Sequence, residues 1–356
     1  MSESLPPSTR ARLEAQRLAF APLLFQAGMV LRESGLLAAV GRARAKGLTD
    51  DEGAAECGLS RYAAGLLLEA GFAAGLCACE PEATPPRFTL TDVGRFWLFD
   101  ELTRVNADFT QHVCYRGAFH LGESLRAGLP KGLPTIDATG AATVYEALRS
   151  LPDEARRAWF AFDHFYSDSV FGVCLPRVLE GGAPHVVDIG ANTGRFAKLA
   201  LEQGAGRVSL VDLPGQLAVA KEHLRAFEGR LAFVAGDIRH ESTVLPRDAD
   251  AYWMSQFLDC FSEDDARLIL TRVAAAAGPR SKVYVLETYW DQQRHEASRH
   301  CVIGTSLYFA CIANGQSRMF HSGTLKGLAR DAGLALLDEV RDLGLAHTLH
   351  VFGKRS

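Results

Sequence analysis

From Val186 onward, short apolar runs alternate with segments whose apolar residues recur at helical spacing. Val186–Ile189, Val208–Asp212, Leu231–Ala235, Ala249–Leu258 and Lys282–Glu287 read as five strands. Helical patterns at Arg195–Leu201, Gly215–Phe227 and Glu263–Ala277 lie between them. Such alternation predicts an α/β fold, a parallel sheet covered by helices on both faces, with its ligand beyond the strand C-termini. The first half is patterned differently. Apolar residues at helical spacing run from Arg12 to Val40. Thr49 stands three before Glu52, a capping signal for a helix to Cys57, and Ser60 can cap a second helix, Arg61–Ala70. Pro85–Thr91 reads as a short extended wing, and Asp108–Leu129 and Ala142–Val178 as further helices.

The chemistry concentrates in VVDIGANTG, Val186–Gly194. A strand, a glycine turn and a helix N-terminus make a nucleotide-type pocket, because free backbone N–H groups point into it. A dinucleotide fingerprint needs glycine where this chain has Asp188 and Thr193. Asp188 would repel a pyrophosphate, but it would attract an ammonium and a sulfonium, which together describe S-adenosylmethionine. Asp212 ends the second strand at the place that serves ribose hydroxyls in this fold class, and Gly236–Asp237 closes the third beside the adenine. Alone, each acid reads as a solvated strand end. Three in succession behind a glycine turn read as a cofactor site.

Composition narrows the classes. A chain of 356 residues suggests two domains. A formal net charge of −4 gives no reason to expect nucleic-acid binding, and the helix at Arg61–Ala70 has one basic residue. Helix, turn, helix and wing therefore predict dimerisation before DNA recognition. No apolar run is long enough to span a bilayer, no signal-peptide pattern is present, and eight scattered cysteines fit free thiols in a reducing cytoplasm.

The segments DIGANTG, VDLP, AGD, FSEDDARLIL, LET and AGL occur in the order found in small-molecule O-methyltransferases of plants and bacteria, the caffeic-acid and hydroxyindole type, which the chain resembles over nearly its whole length. The phrases WMSQFLDCFSEDD, LETYWDQQ, TSLYF, ANGQSRMFH and LGLAHTLH bring it nearest a bacterial branch found with aryl-polyene pigment pathways. The resemblance implies a Rossmann-like S-adenosylmethionine-binding catalytic domain over 179–356. It implies a winged-helix-like dimerisation domain over 1–105, in a homodimer, with a helical linker and substrate-pocket region over 106–178. Cofactor binding then falls to Ser167, Asp188, Gly190, Gly194 and Asp212, with Leu213, Asp237, Ile238 and Ser255. Phe162, Tyr166, Tyr308, Phe309 and Asn314 become pocket residues, and Arg116 could hold a substrate carboxylate. Aromatic core packing is the plain alternative for these helices.

One departure stands out. Plant-type members carry a histidine base in an H-D-W phrase, where this chain has Asp259–Cys260–Phe261. A phenol titrates at about pH 10 and histidine at about 6.5, whereas an ordinary aspartate is a weaker base. Asp259 could serve if burial raises its pKa, or it could orient a nearby histidine, His300 before His321 or His295. Glu287, ending the fifth strand, matches a position that supports the base. The expected reaction is methyl transfer to a phenolic oxygen of an aromatic small molecule, free or carrier-bound. Ring C-methylation and a non-catalytic, cofactor-binding regulator are the alternatives. A metal site from Asp259, His300 and His321 has no compact ligand motif behind it.

Overall fold

The computed structural model describes residues 6–182, 184–247 and 249–355. Two compact units divide between Asp108 and Phe109. The stretch expected as a separate linker and pocket region, 106–178, thus lies almost wholly within the second unit.

In the first unit the apolar run Arg12–Val40 forms two helices, α1 (Pro7–Glu33) and α2 (Leu36–Ala43). Gly35, at φ +76°, takes a left-handed conformation that side chains resist, and it divides them. Helix α3 (Asp50–Cys57) opens with the expected capping box: the Glu52 N–H donates to Thr49 Oγ1 at 3.2 Å, and the Thr49 N–H to Glu52 Oε2 at 3.1 Å. Helix α4 (Arg61–Ala73) is capped by Ser60 and extends three residues beyond the expected end. The wing is an antiparallel pair, β1 (Cys77–Cys79) with β2 (Phe88–Leu90), followed by α5 (Asp92–Phe99) and α6 (Glu101–Phe109). Leu31, Leu36, Leu37, Val40, Leu68 and Phe88 form its core.

The second unit begins irregularly. The helix expected over Asp108–Leu129 breaks into a π-turn at Thr110–Cys114, a 3-10 turn at Gly117–His120 and α7 (Leu121–Ala127). Pro152 divides the next expected helix into α8 (Val144–Ala147) and the long α9 (Asp153–Val178). The alternating part follows as β3 (His185–Ile189), α10 (Arg195–Glu202), β4 (Arg207–Asp212), α11 (Pro214–His223) and β5 (Leu231–Ala235). It continues through β6 (Ala251–Ser255), α12 (Glu263–Ala276), β7 (Lys282–Glu287), α13 (Glu296–Tyr308) and α14 (Ser322–Asp331). The sheet is completed by a hairpin beyond the five strands read from the sequence, β8 (Leu334–Leu343) and β9 (His347–Lys354).

The sheet order is β5-β4-β3-β6-β7-β9-β8, parallel except for β9, which runs against both neighbours. Its inner strands are buried on both faces, so they read as unbroken apolar runs. Side chains alternate accordingly. Val187, Ile189, Tyr252 and Met254 pack in the core that includes Ile269 of α12 and Leu325 of α14. Val186, Trp253 and Leu286 pack on the other face, with Val170 of α9 and Phe196 of α10. Strand order reverses between β3 and β6, which opens a crevice at their carboxyl ends.

Candidate active site

A cavity of about 440 Å³ fills that crevice, and all its lining residues belong to the second unit. Asp188, Gly190, Asp212, Leu213, Asp237, Ile238, Ser255 and Ser167, from the expected cofactor set, line it. Gly194 does not. It sets the turn from behind, at φ +80° as the N-cap of α10, where a Cβ would meet Leu224 at 2.8 Å. Gly190 has φ +75°, and a Cβ there would lie 2.2 Å from the Phe257 ring. Only glycine lets the backbone pass this close.

The acids are arranged unequally. Asp188 shares a face of β3 with Val186 and is buried, with no hydrogen-bond partner for Oδ2. Burial, and then the Asp212 charge, push its carboxyl up to about 8, against a backbone hydrogen bond from Ala197. Asp212 accepts the N–H groups of Leu213 at 2.6 Å and Asn192 at 2.7 Å, yet burial still raises it to about 6. Asp237 is answered by Arg239, which also pairs with Asp265. An orphaned buried carboxyl oxygen beside a glycine turn is a place for a cation.

Across the cavity, Asp259 follows β6 in a 3-10 turn, Leu258–Cys260, and is 2% exposed. Burial pushes its carboxyl up to about 7; the Asp163 charge also raises it, while hydrogen bonding with Cys260 and Glu287 opposes the rise. Glu287 ends β7 behind the cavity wall. Its Oε1 accepts the N–H groups of Phe257 and Leu258 at 3.1 and 2.9 Å. Burial and the Asp259 charge hold the Glu287 carboxyl well above its usual range. Two buried carboxyls of this kind titrate as a pair.

Aromatic rings form the remaining wall. Phe109 stacks on Phe162 with ring centroids 4.0 Å apart, and Trp159 donates its indole N–H to the Tyr308 hydroxyl at 2.7 Å. Phe309 lines the cavity from the π-turn Phe309–Ala313. Asn314 also lines it, but its amide is already used: it donates to the Cys260 carbonyl at 2.7 Å and Ser317 Oγ at 2.8 Å, and accepts from Gln316 and Ser317. It clamps the Asp259 turn and has no donor left for a substrate.

Four sequence expectations are corrected by placement. His300 is exposed on α13 and does not line the cavity. It lies about 12 Å along the helix from Tyr308, by the axial rise of eight residues. Arg116 is exposed because the broken helix rotates it outward, while its neighbour Gly117 is wedged against Ile312 and Gly132. Tyr166 is buried off the cavity, packed on Phe162 and Phe165. His321 is a helix cap paired with Asp291, so no metal site assembles with His300 and Asp259. Among the described residues, no three His, Cys, Asp or Glu side chains are grouped to hold a metal ion.

Sequence reasoning missed three lining groups. Asp163, on α9, is partly buried against Asn192, whose amide donates to it at 3.0 Å, and desolvation raises its carboxyl to about 6. Its i,i+4 spacing to Ser167 could have found it. Asn192 joins it to Asp212. Gln256, at φ +46°, accepts from the buried His347 Nε2–H at 2.5 Å; burial pushes His347 down to about 4, which keeps the ring neutral. That partner comes from β9, and no local pattern announces it.

The family profile of the O-methyltransferase domain matches residues 153–335, just over half the chain, and includes most of this site. The chain belongs to the O-methyltransferase family. A Dimerisation2-like domain profile matches residues 12–83 of the methyltransferase. The mitomycin biosynthesis 6-O-methyltransferase of Streptomyces lavendulae is 30% identical to it over 115 residues, a stretch covering 32% of each protein. Among solved structures, apo SibL, an S-adenosylmethionine-dependent methyltransferase, shares the fold at TM-score 0.70 and 21% identity, over 96% of this chain and 98% of that one. NcsB1 of neocarzinostatin biosynthesis, solved with S-adenosylmethionine and 2-hydroxy-5-methyl naphthoic acid, gives TM-score 0.63 and 23% identity, over 94% and 96%. The residues present fit the family's methyl donor, S-adenosylmethionine: the unpartnered, buried Asp188 carboxyl would answer its ammonium, Asp212 would hold ribose hydroxyls, and Gly190 clears the approach.

Proposed function

We propose that this O-methyltransferase methylates a phenolic hydroxyl of an aromatic small molecule, with Asp259 as the base. The observation that carries the reading is the burial of Asp259 in an aromatic-walled cavity, where its carboxyl is pushed up to about 7. A carboxylate of that basicity is a far better partner for a phenol than an ordinary aspartate. Bound S-adenosylmethionine supplies an electrophilic methyl group on a sulfonium. Asp188, Asp212 and the Gly190 turn would hold the donor, with Ser167 available to its carboxylate and Ile238 to its adenine. Phe162, Tyr308 and Phe309 hold the acceptor ring flat beside it, so orientation supplies much of the rate. Asp259 takes the phenolic proton. Glu287 positions Asp259 through the backbone of its turn, and their shared burial keeps a proton between them.

The acceptor class extends to a hydroxybenzoyl or hydroxyphenyl unit of an aryl-polyene-type pigment, supported by the phrases WMSQFLDCFSEDD and LGLAHTLH. The names of the mitomycin and neocarzinostatin relatives support an aromatic natural product. The enzyme works as a homodimer, supported by the dimerisation profile and by Leu18, Phe20 and Leu23, exposed along α1. A cytoplasmic location is consistent with free cysteines; among the described residues no single helix is long and apolar enough to cross a membrane.

Incubation with methyl-deuterated S-adenosylmethionine and a panel of phenols, followed by mass spectrometry, tests the reading. Label on oxygen is expected. Label on a ring carbon, or no transfer despite donor binding, rejects it.

A further inference from the structure

We propose that Asp163 recognises the sulfonium of the donor, so that the enzyme binds S-adenosylmethionine in preference to its demethylated product, S-adenosylhomocysteine. The inference rests on the donor-binding and O-methylation reading above and adds a residue to it. Its basis is the position of Asp163 between the two halves of the cavity. On the donor side stands Asn192, in the glycine turn. Its side-chain amide donates to Asp163 Oδ2 at 3.0 Å and its backbone N–H to Asp212 Oδ2 at 2.7 Å, so one residue fixes both carboxyls. On the acceptor side, the Asp163 charge bears on Asp259 and on Tyr308, and the preceding residue, Phe162, stacks on Phe109. The methyl group must pass from donor to acceptor where these halves meet.

The Asp163 carboxyl has one oxygen held and one to spare. The side chain lines the cavity and is 28% exposed, and among the described residues Oδ1 has no hydrogen-bond partner. Nearby cations are committed elsewhere: Arg195 pairs with Asp168, and His164 lies 3.6 Å from Asp168 and 3.8 Å from the Asp163 Oδ2 that Asn192 already holds. At about 6, the carboxyl is ionised in mildly alkaline buffer. The donor brings two positive charges. Its ammonium, assigned above to Asp188, persists in S-adenosylhomocysteine. Its sulfonium does not. On transfer the methyl carbon bonds to the phenolic oxygen, sulfur keeps the electron pair of the broken S–C bond as a neutral thioether, and the phenolic proton goes to Asp259. The attraction to Asp163 therefore ends with the reaction, which favours release of the spent donor. In a partly desolvated site that attraction is much stronger than in water.

Calorimetry on the intact enzyme at about pH 8, where a carboxyl at about 6 is ionised, tests this with three ligands and no acceptor. They are S-adenosylmethionine, S-adenosylhomocysteine and sinefungin, which carries an amine in place of the methylsulfonium. The enzyme is expected to bind the two cationic ligands at least about tenfold more tightly than S-adenosylhomocysteine. Asp163→Asn keeps an oxygen for the Asn192 amide. It should shrink both preferences to about threefold or less, with S-adenosylhomocysteine affinity within about threefold of the parent. Asp163→Ser, a second charge-free variant, should do the same, and Asp259→Asn should leave the preferences in place. General loosening of the site would instead weaken all three ligands in parallel. Such parallel loss, unchanged preferences, or a loss of preference in Asp259→Asn instead overturns the proposal and leaves donor binding standing. Equal affinity for the three ligands in the parent overturns it without any variant. A parent that binds none of them defeats the functional reading and the proposal with it.

Discussion

Glu287 accepts the Leu258 backbone N–H at 2.9 Å, one residue before Asp259, and so ties the end of β7 to the turn that carries the proposed base. The Phe257 N–H shares the same oxygen at 3.1 Å. Glu287→Ala leaves both buried donors unsatisfied, a cost of about 1–3 kcal/mol for each. Thermal unfolding should shift down, and kcat should fall. Glu287→Gln keeps an acceptor oxygen and should recover most of the unfolding temperature and much of kcat. If Gln behaves like Ala, positioning through the backbone is not what Glu287 does.

The pH profile follows from Asp259, whose ionised form takes the proton. With its carboxyl pushed up to about 7, kcat/KM should rise with pH through about 7 and then level off. Asp259→Asn should lower kcat by about 10²–10⁴ and abolish that step. Calorimetric affinity for S-adenosylmethionine should stay near the parent value. A profile already flat between pH 6 and 8 would count against the base assignment.

Asp188 links stability to pH with a definite sign. Its carboxyl rises from the ordinary 3.8 to about 8 on folding, so the folded state holds the proton more tightly. That stabilisation is complete below the unfolded value and is lost as pH climbs towards about 8. Scanning calorimetry of the donor-free enzyme should show this fall, and Asp188→Asn should remove it. The same variant should weaken donor binding by about 10–100-fold, the loss expected for a charged hydrogen bond. Unchanged affinity would take Asp188 out of the donor site.

Gly190 has no room for a side chain. Gly190→Ala combines φ +75° with a Cβ 2.2 Å from the Phe257 ring. We expect a loss of about 1–3 kcal/mol, from backbone strain alone, and a clear drop in donor affinity as the turn shifts. Unfolding temperature and calorimetry measure both. Parent-like values in both would mean that the turn tolerates a side chain.

What the sequence alone determined is local. The glycine turn after Asp188, the acids at the ends of β4 and β5, and the Thr49 capping box each depend on residues a few places apart. Backbone conformation and side-chain alternation write such features directly into the chain. The Rossmann-like sheet followed from the same alternation, but the final hairpin did not, because β8 exposes half its residues and interrupts its apolar positions with charged ones. The tertiary structure decided which side chains meet. Asp163 and Asp259 lie almost a hundred residues apart, and only the packing of α9 over the strand ends brings one charge to bear on the other. The partnership of Gln256 with His347 waits on β9. His300 and Arg116 had suitable chemistry, yet helix phase and a broken helix carried them away from the cavity. The basicity of Asp259 belongs to this second category. A carboxyl's pKa is set by what excludes water around it, and that surrounding is assembled from segments distant in the chain.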